Sequence, residues 1–275
     1  MADATAWISA PIHATASAWS TRVQSNGGAA PSANTLVSIS NFCGALDAAS
    51  IANLMISVNV FAPDNLIASI TPLYKVYGND PWTNHNFVAA DLSVQGLKGN
   101  ASTKYLDTGL IPTTIYAGSS TNAGLSAYNT MPDLGAGYEI ACNDGTNSLL
   151  LGCDTSGNAV FWSWSGASNT ISVASLTYGL GFFSGNRTDT THANLYAANS
   201  TNAFASLGST AGMTAVVPVT YPLTIFARNA AGTIQTYSSK RLSFAAVHNG
   251  LSSAQCQALY NAVQALRIAF GGGWL

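Results

Sequence analysis

The densest group of side chains able to hold a ligand lies between Gly78 and Asn86: Asn79, Asp80, Trp82, Asn84 and His85. An indole face stacks on a sugar ring, and amide, carboxylate and imidazole groups can hydrogen-bond its hydroxyls. Asp and Asn oxygens are also the ligands that calcium takes, but nothing else in the sequence supports a calcium ion, and no cofactor is expected. This segment is the candidate glycan site, with Trp82 as the stacking contact. A second aromatic pair, Trp162 and Trp164 in Phe161-Trp162-Ser163-Trp164, falls on one face of a strand by period two. Alternating aromatics of that kind usually line a core.

Catalysis has few residues to work with. Glycoside hydrolysis ordinarily uses two carboxylates facing each other across the scissile bond. The chain has one glutamate, Glu139, and aspartates such as Asp64, Asp107, Asp133, Asp144 and Asp154 stand in turn contexts. There they bond their own backbone. His13, His85, His192 and His248 have no nucleophile signature near them, and His248 reads as a hydrogen-bonded structural histidine. No G-x-S-x-G elbow, P-loop or dinucleotide fingerprint occurs. The cysteines, Cys43, Cys142, Cys153 and Cys256, match no zinc spacing, so no metal site is expected. Cys43 and Cys256 sit on apolar helix faces as small core residues. An Asp144-Gly145 turn would set Cys142 opposite a residue near Asn147, which argues against a bridge to Cys153.

The elements that must position these residues are mostly strands. From Leu54 onward the apolar period is two, and short runs recur between turns: Met55–Phe61, Leu66–Tyr77, Thr113–Ala117, Gly137–Cys142, Ser148–Cys153, Ala159–Trp164, Tyr178–Phe183, Asn194–Ala198, Val216–Ala227 and Arg241–His248. The spacing predicts an all-β, two-sheet antiparallel sandwich. Residues 1–52 read as helical: Asp3 caps a short helix, Asn26-Gly27-Gly28 breaks the chain, and Ser32 caps a second helix through Leu46. They form a lid over one end of the sandwich or an arm docked on a neighbour. The sandwich then occupies 53–275. Its closing helix, 252–270, starts at a Ser252/Gln255 capping box and carries the stripe Cys256, Leu259, Tyr260, Val263, Leu266 and Phe270.

Charge is scarce. Charged residues make up 7% of the 275 and leave a net charge of −2, so no basic stripe exists for nucleic acid or anionic lipid. No run approaches the ~18 apolar residues of a membrane span. A skin of Ser, Thr, Asn, Gly and Ala is little protected against self-association. It suits a subunit buried in an assembly or an extracellular protein. The N-x-S/T sequons at Asn100, Asn186 and Asn199 are expected by chance in such a composition.

Three stretches carry a family resemblance: L-K-G-N-A-S-T-K-Y-L-D-T-G at 97–109, the strand Leu242–Val247, and G-L-S-S-A-Q-C-Q-A-L-Y-N-A-V at 250–263. Together with the opening M-A-D-A-T-A-W-I and Phe42–Ala49, they resemble concanavalin A-like (LamG-type) jelly-roll proteins encoded among structural genes of tailed bacteriophages. The resemblance implies a jelly roll in which Tyr105 and Leu106 are structural. It also implies a non-enzymatic virion component in a tail, fibre or capsid decoration, whose partners are other virion proteins and itself. With no signal peptide at Met1-Ala2-Asp3, the expectation is synthesis in the host cytoplasm and residence in the virion. A host-surface adhesin gripping cell-surface glycan is the alternative, and a glycoside hydrolase stands behind both.

Overall fold

The structure, a computed structural model, describes residues 11–117, 121–131, 137–153, 158–164, 170–173, 180–211, 213 and 218–273. In chain order the first half holds α1 (Ala14–Ser25), α2 (Ala33–Ala48), β1 (Met55–Asn59), α3 (Leu66–Ile70), β2 (Tyr74–Lys75), β3 (Thr83–His85), β4 (Leu92–Ser93), β5 (Gly96–Lys98), β6 (Tyr105–Asp107) and α4 (Pro112–Ile115). There follow β7 (Ala123–Asn129), β8 (Gly137–Asn143), β9 (Ser148–Cys153), β10 (Ala159–Ser163), β11 (Thr170–Val173), β12 (Gly181–Arg187), β13 (Ala193–Ala198) and β14 (Ala205–Thr210). The chain closes with β15 (Thr224–Ile225), β16 (Arg228–Ala230), β17 (Thr233–Gln235), β18 (Arg241–His248) and α5 (Ser253–Ala269).

The strands form two sheets, antiparallel but for one pair. Sheet A runs β14-β13-β12-β7-β18-β1-β2, with β5 and β4 continuing beside β18. Sheet B runs β11-β10-β9-β8-β15-β6-β3, and the β16–β17 hairpin joins it through a parallel pairing of β16 with β8. The two inner faces pack Leu125, Ala127, Ala245 and Val247 of sheet A against Leu106, Ile140, Leu151 and Phe161 of sheet B. The sheets approach closely at Gly185, where a Cβ would sit 2.1 Å from the Phe161 ring.

A second core lies on the other side of sheet A. Tyr128, Phe182, Phe244 and Ala246 point away from sheet B and pack beneath Trp19, Phe42, Leu259 and Val263 of the helices. The N-terminal helices therefore cover a face of the sandwich, side by side with α5, instead of an end. They share a core with sheet A. Because β7 and β18 are buried on both faces, their sequences lose the polar-out alternation of a half-exposed strand.

Helix ends follow their caps. Ser32 accepts from Thr35 N at 3.2 Å, and Ser252 and Gln255 close a reciprocal capping box on α5. The Asp3 cap falls outside the described residues. Two expected strands start as helical turns, and of the two only Leu66–Tyr77 goes on to a strand, the edge strand β2. In Leu66–Tyr77, the Asn65 side chain accepts from Ala68 N at 2.9 Å and starts α3. The chain after it is held to α1, with Trp19 Nε1 donating to Thr71 O at 3.0 Å and Arg22 to Pro72 O at 2.6 Å. In Thr113–Ala117, Pro112 at the first helical position sets up α4. The start of the expected strand Val216–Ala227 lies outside the described residues, and the described part, 218–227, holds only β15. Cys142 lies opposite Leu149, two residues from the expected partner, and is a free thiol whose pKa burial pushes well up. Cys43 and Cys256 are buried, as their helix faces require.

Candidate functional site

Four of the five residues in the 79–85 segment work for the fold. Trp82 is fully buried in the inter-sheet core, edge-on to Phe61 at 6.5 Å. Its ring offers no face to a sugar, which corrects the expectation of a stacking contact there. Asn79 donates to Thr83 Oγ1 and Asp107 O, both at 3.2 Å, and braces the turn at Gly109. Asp80 faces the Arg22 guanidinium at 3.0 Å and accepts from Asn26 Nδ2 at 3.1 Å, tying α1 to the loop. Asn84 bonds both ways with Phe87, accepting from its N at 3.0 Å and donating to its O at 2.9 Å. With Asp80 engaged by two cationic or amide donors, this loop presents no free carboxylate to calcium. Among the described residues, no group of three His, Cys, Asp or Glu side chains is placed to hold a metal ion.

His85 behaves differently. On β3 it lies opposite Tyr105 of β6, and the two rings stack with centroids 4.0 Å apart and planes 5° from parallel. Tyr237 adds a third ring, edge-on to Tyr105 at 6.2 Å. All three are half-buried. Leu106 points into the inter-sheet core, so by strand alternation Tyr105 and its neighbour Asp107 face away from it. The resemblance thus describes Leu106 well and misses Tyr105, which belongs to an outward ledge. Burial, followed by the neighbouring Tyr237 and Asp107, raises the Tyr105 hydroxyl above the usual phenol pKa.

Three loops hold this ledge, and each carries a non-glycine residue in the left-handed region: Asn86 at φ 68°, Ala101 at φ 58° and Thr236 at φ 53°. Asn86 follows His85, and Thr236 precedes Tyr237. A β-branched residue in this region is strained, and such strain persists only where surrounding structure fixes it. The fixing bonds are present. Asn86 Nδ2 donates to Thr103 O at 2.9 Å, and Asn100 Oδ1 accepts from the backbone N of Ser102, Thr103 and Lys104. Gly99 lets the chain pass against the 238–240 segment, because a Cβ there would meet Ser238 O at 2.1 Å. The Lys104–Asp91 ion pair closes the rim.

The remaining candidates are interior. Glu139 is 3% exposed; its Oε1 accepts from Lys240 Nζ and Asn129 Nδ2, each at 2.7 Å. The chain's one glutamate is thus locked in a buried ion pair, out of reach of substrate. His248 is buried, with Nε2 2.8 Å from Ser126 Oγ and Nδ1 2.7 Å from Asn249 O. The carbonyl can only accept, so Nδ1 carries the proton, and burial lowers the pKa to about 4. It is a structural histidine. The two tryptophans separate: Trp162 of β10 packs on the outside of sheet B, while Trp164, just past the strand at φ 63°, turns into the inter-sheet core. The left-handed residue breaks the period that would have kept them together. Asn186 and Asn199 of the sequons are buried.

No protein-family model matches the chain, and no curated protein matches it. Solved structures similar to it include the CBM40 of the Ruminococcus gnavus IT-sialidase, at 12% identity and TM-score 0.43 over 59% of this chain and 96% of that one. Another is domain 4 of AbnA, a GH43 extracellular arabinanase from Geobacillus stearothermophilus, at 12% identity and TM-score 0.39 over 74% and 86% of the two chains. A third is Trypanosoma rangeli sialidase, at 15% identity and TM-score 0.43 over 76% of this chain; the chain spans about a third, 32%, of that enzyme. The two-sheet sandwich itself rests on the strand order and the two cores described above.

Proposed function

We propose that this chain is a non-catalytic glycan-binding module whose contact is the His85–Tyr105–Tyr237 ledge. One observation carries the reading: three half-exposed rings, two of them stacked in parallel, held outward by strained and hydrogen-bonded loops. Aromatic surface fixed in this way costs little entropy to present and stacks on the C–H faces of a sugar. The outer face of sheet A is unavailable for the same purpose, because the helices cover it. The position of Glu139 in the core favours recognition over hydrolysis. A virion subunit is the second reading; it rests on the charge-poor surface and on exposed Val37 and Ile268 of the helix layer, and light scattering for a defined oligomer tests it. Among the described residues no helix is long and apolar enough to cross a membrane. Tyr105→Ala tests the ledge: binding on a glycan array should be lost while the melting temperature stays within a few degrees. Binding that survives the substitution would refute it.

A further inference from the structure

Four of the five arginines donate to acceptors of the protein. Arg22 pairs with Asp80, Arg187 donates to Asp189 O and Thr190 O, Arg241 to Ser93 and Gly96, and Arg267 to Gln95 and Gly273. The Arg228 side chain has neither a hydrogen bond nor an ion pair among the described residues, although it is half-buried and its Nε is wholly so. Its guanidinium carbon stands 5.5 Å above the centre of the Tyr138 ring, on the outward side of sheet B. A guanidinium held over an aromatic face, with its fork unpaired, is prepared for a planar anion.

Its position links it to the ledge. Arg228 pairs with Gln235 across the β16–β17 hairpin, and Tyr237 lies two residues beyond Gln235, just past the end of β17 and the left-handed Thr236. The hairpin and the segment that leaves it therefore carry the cation and one ring of the ledge. Resting on the glycan reading above, we infer that Arg228 makes this face select acidic saccharides, taking a ring-borne carboxylate or sulfate while the ledge stacks on the sugar. Bidentate contact with either group is charge-assisted, and a matched neutral sugar lacks it.

The test uses the full chain and three glucosides alike except at C6: methyl glucoside, methyl glucuronide and methyl glucoside 6-sulfate, titrated by NMR. The anionic pair should bind about tenfold tighter than the neutral sugar. Arg228→Gln should abolish that preference and leave neutral binding unchanged, and Arg228→Lys should keep part of it. Preference for only one of the anions supports the inference and identifies which group is recognised. Equal affinity for all three overturns the role of Arg228 and leaves the ledge standing. A preference that persists in Arg228→Gln assigns it elsewhere and also overturns it. Absence of binding to every sugar refutes the ledge, and the inference falls with it.

Discussion

Replacing Lys240 by methionine leaves Glu139 without its cation in the sandwich interior. The pair is 2.7 Å long, and its side chains are 1% and 4% exposed. At that separation, with an effective dielectric of about 20, the attraction is about 6 kcal/mol. Desolvation of the two ions offsets several kcal/mol each, so the intact pair contributes little net stability. A single substitution removes the attraction and leaves the burial cost of the remaining carboxylate. Lys240→Met should therefore cost about 3–5 kcal/mol. The double variant Lys240→Met/Glu139→Gln should recover most of that loss, because no charge then remains buried. Equilibrium urea unfolding at pH 7, comparing midpoints at equal slope, measures all three chains. A single-variant cost below about 1 kcal/mol, or strictly additive costs in the double variant, would refute the assignment of Glu139 to the fold.

Two further outcomes follow from buried groups. His248 is held neutral, with a folded pKa of about 4 against 6.5 in the open chain, so its contribution is complete above pH 6.5 and is lost as pH falls towards 4. Up to about 3 kcal/mol should disappear over that window, and the imidazole C2 proton should not titrate above pH 5; titration near 6.5 would contradict it. Trp82→Ala empties a core position and should lower stability by about 3–5 kcal/mol in urea unfolding, whereas near-neutrality would return Trp82 to the surface.

The sequence shows the sandwich wherever a strand has one wet face or a clear stop signal. Arg241–His248 is a strand over those residues, and α5 begins at the capping box that Ser252 and Gln255 spell out. The short helices escaped because Leu66–Ile70 and Pro112–Ile115 are too brief to show a period, and each depends on one residue at its start, Asn65 or Pro112. The 79–85 segment has the residue types of a sugar site, yet Trp82 faces inward and Asp80 meets Arg22 from a helix more than fifty residues away. Of those five residues only His85 joins an outward aromatic surface. Its partners Tyr105 and Tyr237 come from β6 and from the segment after β17, and no local spacing could bring them together. Tyr237, in a stretch of turn residues, carries no signal of its own beyond being an aromatic outside the alternating runs.

Glycan binding by wild type and Tyr105→Ala, measured side by side with thermal unfolding of both, tests the central claim most directly. The account predicts that binding falls at least tenfold in the variant at nearly unchanged stability, with the ring resonances of His85, Tyr105 and Tyr237 shifting together as sugar is added to the wild type. Binding of equal strength in the two proteins, or shifts confined to residues away from the ledge, would contradict it.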